Sequence, residues 1–386
     1  MFTLPKKRDM DYESHNIESN RIWETFWNNK PIRMPMMIGC NPRILLLNPK
    51  INTKGITFRE YSEDKDVMLN TYCWYDYYRR HYIPRDAQMG MPDAWTVEVD
   101  LQNYHETVWL GSEIEYTDNS VPAASVSLND DNKEKLFQNG IPNPFSGIYK
   151  RGIEFYDYFN ERKTDYTFMD RKLGNIGMFG LGTDGPFTLC CNLRGTDKFC
   201  MDLYLDSEYA LELLDFVTTA AIARIKAFRK YAGQPEKTST IFLADDSIVL
   251  IGIDTYKEFV LPFHKRIVEE LTDNSFPHLM HLCGDATRFF PLMHEELNIS
   301  YFDTGYPIDF ANITKEMGSD VCIQGGVKVD ILLNESREKV IEETKRIIDE
   351  VKPNTNKFIM REANNLPPCV PEENLWAMYE TVKKFG

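Results

Sequence analysis

The sequence predicts an α/β protein, a (β/α)8 TIM barrel with an N-terminal elaboration over the barrel mouth. Two observations lead to this fold class. Beyond residue 165, short apolar runs alternate with amphipathic helical stretches, which is typical of repeated βα units around a parallel sheet. Polar or reactive side chains follow each of these runs. In a TIM barrel the active site lies at the carboxyl ends of the strands, so these side chains are expected to share one rim.

The 386-residue chain has 42% apolar residues, which is enough for a large core. Its length fits either two average domains or one barrel. We predict a single domain over residues 1–386, in which residues 1–165 supply the first strand and the elaboration and residues 166–386 supply the regular βα units. The net charge of −15 is spread along the chain and argues against nucleic acid or an anionic membrane as the main partner.

Targeting signals are not recognisable in the sequence. No window approaches eighteen apolar residues, and residues 1–11 are polar, so we expect neither a transmembrane span nor a signal peptide. The eight cysteines are spread thinly, and several lie in apolar runs, which indicates reduced thiols rather than a disulfide framework. A cytoplasmic protein is the expectation.

The first half of the chain is irregular. We predict a polar arm over residues 1–20, a short aromatic helix over 22–27, a first buried strand over 33–39, an aromatic helix over 71–80, a strand over 95–101 and a loop over 118–143. Three arginines close to the aromatic helix are either solvated or able to grip a carboxylate or phosphate: Arg79, Arg80 and Arg85.

The second half is regular. The predicted strands cover residues 176–181, 240–244, 279–282, 301–302, 321–323 and 358–360. The predicted helices cover residues 208–231, capped by Ser207, then 256–271 and 334–351.

The most informative strand carries His281 and Cys283 at its carboxyl end. Because side chains alternate along a strand, these two residues point to the same face. An imidazole and a thiolate on one rigid strand suit Zn²⁺. The alternative is a buried pair without a metal. The other strand-end side chains extend the predicted rim, and we expect Asp184, Asp303 and Gln324 to bind substrate.

Five pieces of sequence between residues 170 and 386 resemble, in order, the uroporphyrinogen decarboxylase superfamily, whose fold is a TIM barrel. They are Gly185-Pro186-Phe187-Thr188-Leu189, Ala244-Asp245 followed by residues 256–262, His281-Leu282-Cys283-Gly284-Asp285, Gln324-Gly325-Gly326, and Leu366-Pro367-Pro368 leading to residues 371–374.

Within that superfamily the chain is more similar to the corrinoid-dependent methyltransferases, because it has the His-x-Cys of that branch. It lacks the Arg-x-x-Gly-Arg-Tyr segment of the decarboxylases, since residues 39–43 contain a single arginine, Arg43. The resemblance implies a zinc-dependent methyltransferase. It would move a methyl group between a methoxy, methylamine or thiol compound and a corrinoid (cobalamin) on a separate partner protein. A porphyrinogen decarboxylase or a non-catalytic small-molecule-binding relative is the alternative.

The resemblance also implies roles for individual residues. Asp245 corresponds to the central acid of the superfamily, and we expect it to be catalytic together with Asp246, unless it is a helix N-cap or pairs in a loop. The third zinc thiolate of the methyltransferases follows the last strand, where this chain has Asn364. Either Glu362 or Cys369 then completes the site with His281 and Cys283, or the metal has been lost.

Overall fold

Parallel strands organise the computed structural model of the protein, which describes residues 2–117 and 120–386. The strands are β1 (Trp95–Glu98), β2 (Ile114–Glu115), β3 (Ala123–Ala124), β4 (Thr167–Phe168), β5 (Arg171–Gly177), β6 (Phe242–Ala244), β7 (His278–Leu282), β8 (Ile299–Thr304), β9 (Cys322–Lys328) and β10 (Phe358–Ala363).

Helices separate these strands in the sequence. They are α1 (Tyr12–Trp27), α2 (Arg43–Leu46), α3 (Phe58–Glu63), α4 (Lys65–Tyr82), α5 (His105–Trp109), α6 (Lys135–Asn139), α7 (Ile148–Arg162), α8 (Pro186–Arg194), α9 (Thr196–Leu205), α10 (Ser207–Tyr231), α11 (Ile253–Thr255), α12 (Leu261–Leu271), α13 (Phe290–Leu297), α14 (Phe310–Met317), α15 (Val329–Asn334), α16 (Arg337–Val351) and α17 (Glu372–Phe385). Two 3₁₀ turns, Asp246–Leu250 and Thr287–Phe289, and a π-helical turn, Tyr256–Val260, complete the set.

The main sheet is parallel and has the strand order β10-β9-β8-β7-β6. Met36 extends it through a parallel bridge to Met360 of β10, and β1 pairs in parallel with β5. In chain order these are eight segments, namely the one at residue 36, then β1, β5 and β6 to β10. Eight is the number of strands in a (β/α)8 barrel, and the fold is of this type.

β7 illustrates how the strands position the site. His278, Met280 and Leu282 are buried on one face, whereas Leu279 and His281 are less buried on the other. This alternation follows from the two-residue period of a strand. It separates the apolar face that packs in the core from the face that carries His281.

The structure corrects parts of the predicted N-terminal region. α1 begins at Tyr12, inside the predicted polar arm, and buries His15 and Ser19. His15 bonds the carbonyl oxygen of Ala87 at 3.1 Å, so a polar sequence here packs through side-chain hydrogen bonds. The predicted first strand is reduced to the single bridge at Met36.

Two smaller predictions also differ from the structure. The predicted loop at residues 118–143 contains β3 and α6, and its residues 118 and 119 lie outside the described residues. The N-cap of α10 is Asp206 rather than Ser207, and the Asp206 side chain pairs with Lys133 instead of capping the helix. Among the helices of residues 2–117 and 120–386, none combines the length and the apolar composition that a membrane span requires.

The carboxylate of Asp245, directly after β6, is fully buried and ties two helices to the sheet. It accepts hydrogen bonds from the backbone nitrogens of Phe187 (3.1 Å) and Thr188 (2.7 Å), in the first turn of α8, and from the Thr188 hydroxyl (2.7 Å). His264 of α12 bonds Oδ2 of the same carboxylate, the oxygen that also accepts from Phe187, at 3.0 Å. Asp245 therefore caps the N-terminus of α8 from another part of the chain. This role is similar to the helix N-cap that was the alternative to a catalytic role for Asp245.

Gly185 makes this close approach possible. Its φ is +91°, and a Cβ at this position would lie 2.1 Å from the carbonyl oxygen of Ala244. Only glycine combines this backbone conformation with this proximity.

We expect Asp245→Ala to lower the free energy of unfolding by about 3–5 kcal/mol, because it leaves buried donors without an acceptor. Asp246→Ala is the matched control. Its side chain is 41% exposed, and its loss should cost about 1 kcal/mol. Urea unfolding of both variants measures the difference, and equal destabilisation would contradict the structural role of Asp245.

His278 gives a second stability test. Both of its ring nitrogens are buried without a hydrogen-bond partner in the described residues, and burial lowers its pKa. The folded protein therefore favours the neutral ring of His278. Because the unfolded chain binds this proton more readily, the free energy of unfolding of the wild type should fall as the pH drops below the pKa of His278 in the unfolded state. We expect His278→Leu to gain up to about 1 kcal/mol at pH 7 and more at pH 5. Urea unfolding at both pH values measures this gain, and a variant that is less stable at pH 5 would refute it.

Candidate active site

A cavity of about 740 Å³ opens at the carboxyl ends of the barrel strands. Its lining includes residues at or after β6, β7, β8 and β10, and residues of the first half of the chain. The lining residues are Gly39, Cys40, Arg43, Asn103, Asp184, Thr188, Asn192, Phe242, Ala244, Asp246, His281, Cys283, Asp303, Val329, Arg361, Asn364 and Asn365.

Three potential metal ligands meet on one side of this cavity. One ligand atom from each of Asp246, His281 and Cys283 lies within 4.8 Å of the others. The Cys283 sulfur is 3.3 Å from His281 Nε2, and Asp246 Oδ1 is 3.8 Å from the same nitrogen. Asp246 Oδ1 also accepts the backbone N–H of Cys283 at 2.7 Å, which fixes the carboxylate beside the thiol. The structure thus brings the predicted pair together and adds Asp246 to it.

His281 is oriented by its other ring nitrogen. Nδ1 lies 2.8 Å from Asp303 Oδ2, so that a proton on Nδ1 leaves Nε2 facing Cys283. Asp303 is held in turn by Arg361 at 2.7 Å and by the Gln324 amide at 3.1 Å. A carboxylate behind a histidine is a common arrangement in zinc sites, since it fixes the tautomer and the ring orientation.

Asp303 and Gln324 were predicted to bind substrate. Asp303 lines the cavity, but its oxygens are occupied by His281, Arg361 and Gln324. Gln324 does not line this cavity, and it bridges Asp303 to the hydroxyl of Tyr301. Both residues are therefore placed to support His281.

The protonation of the pair reflects its surroundings. Burial disfavours the charged ring of His281, but the hydrogen bonds to Asp303 and Cys283 and the charges of Asp303 and Asp246 outweigh burial and raise its pKa to about 10. Burial raises the pKa of the Cys283 thiol, and the hydrogen bond from His281 only partly opposes this effect. A cation bound at these atoms is the kind of partner that stabilises a thiolate here.

Glu362 and Cys369, the predicted alternatives for a third ligand, lie outside the group. The Glu362 carboxylate is fully buried, accepts the backbone N–H of Gly39 at 3.0 and 3.1 Å, and pairs with Arg361. Burial raises the pKa of Glu362 to about 7. The Cys369 thiol is exposed and does not line the cavity.

Asn364 contacts the thiol directly. Its side-chain amide donates to the Cys283 sulfur at 3.4 Å, and its φ is +97°, which is rare for a residue other than glycine. In the sequence, Asn364 stood out only as the residue at the position of the third zinc thiolate of the methyltransferases. The departure from the methyltransferase pattern at this position was the available signal for its contact with Cys283.

Asp184, also predicted to bind substrate, lines the cavity. Burial and the neighbouring carboxylates of Glu106 and Asp246 raise its pKa to about 8. Its backbone N–H donates to Glu106 at 2.7 Å, and Glu106 pairs with the fully buried Arg224. The substrate-binding role of Asp184 stays a prediction. Asp245, predicted to be catalytic, does not line the cavity.

The three grouped side chains fit zinc. A carboxylate oxygen, an imidazole nitrogen and a thiolate are all ligands that catalytic zinc uses, and a site with three protein ligands keeps a fourth position for a substrate. The carboxylate behind His281 adds the outer contact that such sites require.

Two curated proteins with a similar sequence are methyltransferases. The chain is 30% identical over 167 residues to a methylated-thiol–coenzyme M methyltransferase of Methanosarcina mazei, which is 42% of each chain. It is 25% identical over 201 residues to the methylcobamide:CoM methyltransferase MtbA of Methanosarcina acetivorans, which is 52% of this chain and 56% of the relative. The chain thus matches only about half of the length of these curated relatives.

A solved structure described as a methyltransferase from Methanosarcina mazei has the same fold. It covers 95% of this chain and 98% of its own, with a TM-score of 0.63 and 17% identity.

These matches confirm the predicted resemblance to the methyltransferase branch. The family model described as "Uroporphyrinogen decarboxylase (URO-D)" matches residues 168–385, more than half of the chain. The chain belongs to the uroporphyrinogen decarboxylase family.

Proposed function

We propose that the protein is a cytoplasmic methyltransferase that moves a methyl group between a small methoxy, methylamine or thiol compound and a corrinoid on a separate protein. The grouping of Asp246, His281 and Cys283 on the wall of a 740 Å³ cavity carries this proposal. Similarity to two methyltransferases supports it. The eight free cysteines fit a reducing compartment.

In this proposal, His281, Cys283 and Asp246 hold a zinc ion. Zinc acts as a Lewis acid, so that it stabilises a substrate thiol as its thiolate or polarises the heteroatom that carries the methyl group.

The chain's own residues then have distinct tasks. The Asp303 carboxylate keeps Nε2 of His281 turned towards the cavity. The Asn364 amide donates to the Cys283 sulfur and lowers the negative charge that this thiolate presents to the metal. The cavity admits a small compound, and the corrinoid reaches its mouth on the partner protein.

The metal prediction separates the two cysteines considered as ligands. Purified protein is expected to carry about one zinc per chain, and His281→Ala or Cys283→Ala should remove most of it. Cys369→Ala, a substitution of the exposed thiol, is the matched control and should retain it. Elemental analysis of the four proteins measures this, and equal zinc in wild type and Cys283→Ala would refute the site.

The activity prediction uses the cobalt spectrum. The protein is mixed with a reduced corrinoid protein and candidate methoxy, methylamine or thioether compounds, and methylation of cobalt is followed by its absorption. Cys283→Ala should slow transfer by about two orders of magnitude or more, because it removes a ligand that acts on the reacting atom. Its urea unfolding should stay close to wild type, since strand-end residues serve function more than stability.

Cys369→Ala should transfer methyl groups at the wild-type rate. Transfer by Cys283→Ala as fast as by wild type would rule out the mechanism. Release of CO₂ from a porphyrinogen by the wild-type protein would favour the decarboxylase alternative instead.

A further inference from the structure

We propose that a second cavity, of about 350 Å³, binds an uncharged planar aromatic molecule and that this molecule acts on His281 through the wall between the two cavities. The second cavity lies between α1 and the strands β8, β9 and β10, and it shares no lining residue with the 740 Å³ cavity. The inference is independent of the proposed function, because it concerns a separate binding site.

The strands place the second cavity one layer below the first. Tyr301 lines it and stands two residues before Asp303 on β8, and Ile359 lines it and stands two residues before Arg361 on β10. Side chains two residues apart on a strand share a face of the sheet. The second cavity therefore lies on the same face as the first, nearer to the amino ends of the strands, where α1 covers it.

Three aromatic rings line this cavity and have similar orientations. The rings of Trp23 and Trp27 are 6.1 Å apart with 20° between their planes, and the Tyr301 ring is 6.5 Å from that of Trp27 at 31°. Trp27 is 52% exposed, although it is a large apolar residue in a concave surface. Flat rings exposed in a cavity favour a planar aromatic ligand, because it stacks on them better than a saturated molecule of the same size does.

The lining offers no free charge to a ligand. Among the described residues that line the cavity, Asp86 is the only charged one, and its carboxylate is fully buried. It accepts two hydrogen bonds from Arg33, at 2.6 and 2.8 Å, and one from the Tyr379 hydroxyl at 3.1 Å. A charged ligand would lose its hydration here without gaining an ionic partner, so the expected ligand is neutral.

The wall between the two cavities is one hydrogen bond thick. Gln324 lines the second cavity and its amide donates to Asp303, which lines the first, at 3.1 Å. The Tyr301 hydroxyl donates to the amide oxygen of Gln324, and Asp303 holds His281 at 2.8 Å. A ligand with a polar group on its edge can exchange hydrogen bonds with Tyr301 or Gln324. It then changes the surroundings of the carboxylate that orients His281.

The test measures binding to the full chain at pH 7 by calorimetric titration. The three probes have the same two fused rings and one polar group. They are 2-naphthol, which is planar and neutral, decahydro-2-naphthol, which is saturated and neutral, and 2-naphthoate, which is planar and charged. We expect 2-naphthol to bind at least about tenfold more tightly than either of the others, because only 2-naphthol is both stacked and uncharged.

Trp27→Ala should bring the affinity for 2-naphthol close to that for the saturated probe. Ile17→Ala is the matched control, because Ile17 lies on the same helix, is 65% exposed and does not line the cavity. Phe242→Ala removes the exposed aromatic ring of the 740 Å³ cavity and should leave the affinity for 2-naphthol unchanged. If Trp27→Ala does not fold, Trp27→Leu, which keeps an apolar side chain but no flat ring, decides the question.

The link to His281 is measured by nuclear magnetic resonance. 2-Naphthol should shift the imidazole resonances of His281, which are assigned by their loss in His281→Ala. Tyr301→Phe keeps the aromatic ring but removes the hydroxyl that fixes Gln324, and it should reduce this shift. Binding of 2-naphthol without any shift at His281 would refute the action on His281.

Other results would overturn the binding site itself. They are no binding of 2-naphthol, an equal affinity for all three probes, an unchanged affinity in Trp27→Ala, or a loss of binding in Phe242→Ala, which would place the probe in the first cavity. These outcomes are separate from those of the zinc and methyl-transfer assays, so either inference can fail while the other stands.

Discussion

The hydrogen bond between His281 Nδ1 and Asp303 is the contact on which the candidate site depends. It decides which ring nitrogen faces the cavity, and it is itself fixed by a series of charges. Arg361 of β10 neutralises Asp303 of β8, and Glu362 neutralises Arg361. Glu362 then accepts the backbone N–H of Gly39, next to the first barrel segment. One imidazole on β7 is thus held by residues from three other parts of the barrel.

The sequence predicted the features that depend on periodicity and order. The two-residue period of a strand placed His281 and Cys283 on one face, and the series of strand-end polar groups predicted a common rim. Both properties are local, so they can be recognised without knowing which segments meet in space. The family resemblance followed from the same motifs.

The sequence could not predict the features that depend on side-chain direction. Asp245 and Asp246 are neighbours, yet the first points into the protein towards His264 and the second towards Cys283. Glu362 follows Arg361 at the end of the last strand, but its carboxylate is used by the backbone of residue 39. The start of α1 at Tyr12 was not predicted for a related reason. The sequence of its first turns is polar, and the burial of His15 and Ser19 depends on where their side chains point.

Gly39 connects these observations. A Cβ at residue 39 would lie 2.0 Å from Nη2 of Arg361 and 2.8 Å from Oε1 of Glu362. Even a methyl group at this position would displace the Arg361 guanidinium, and with it the carboxylate that holds His281. The smallest residue near the first barrel segment therefore sets the angle of a histidine more than two hundred residues later in the chain. Selection on this glycine would be selection on the geometry of the site, although Gly39 carries no side chain that could take part in the chemistry.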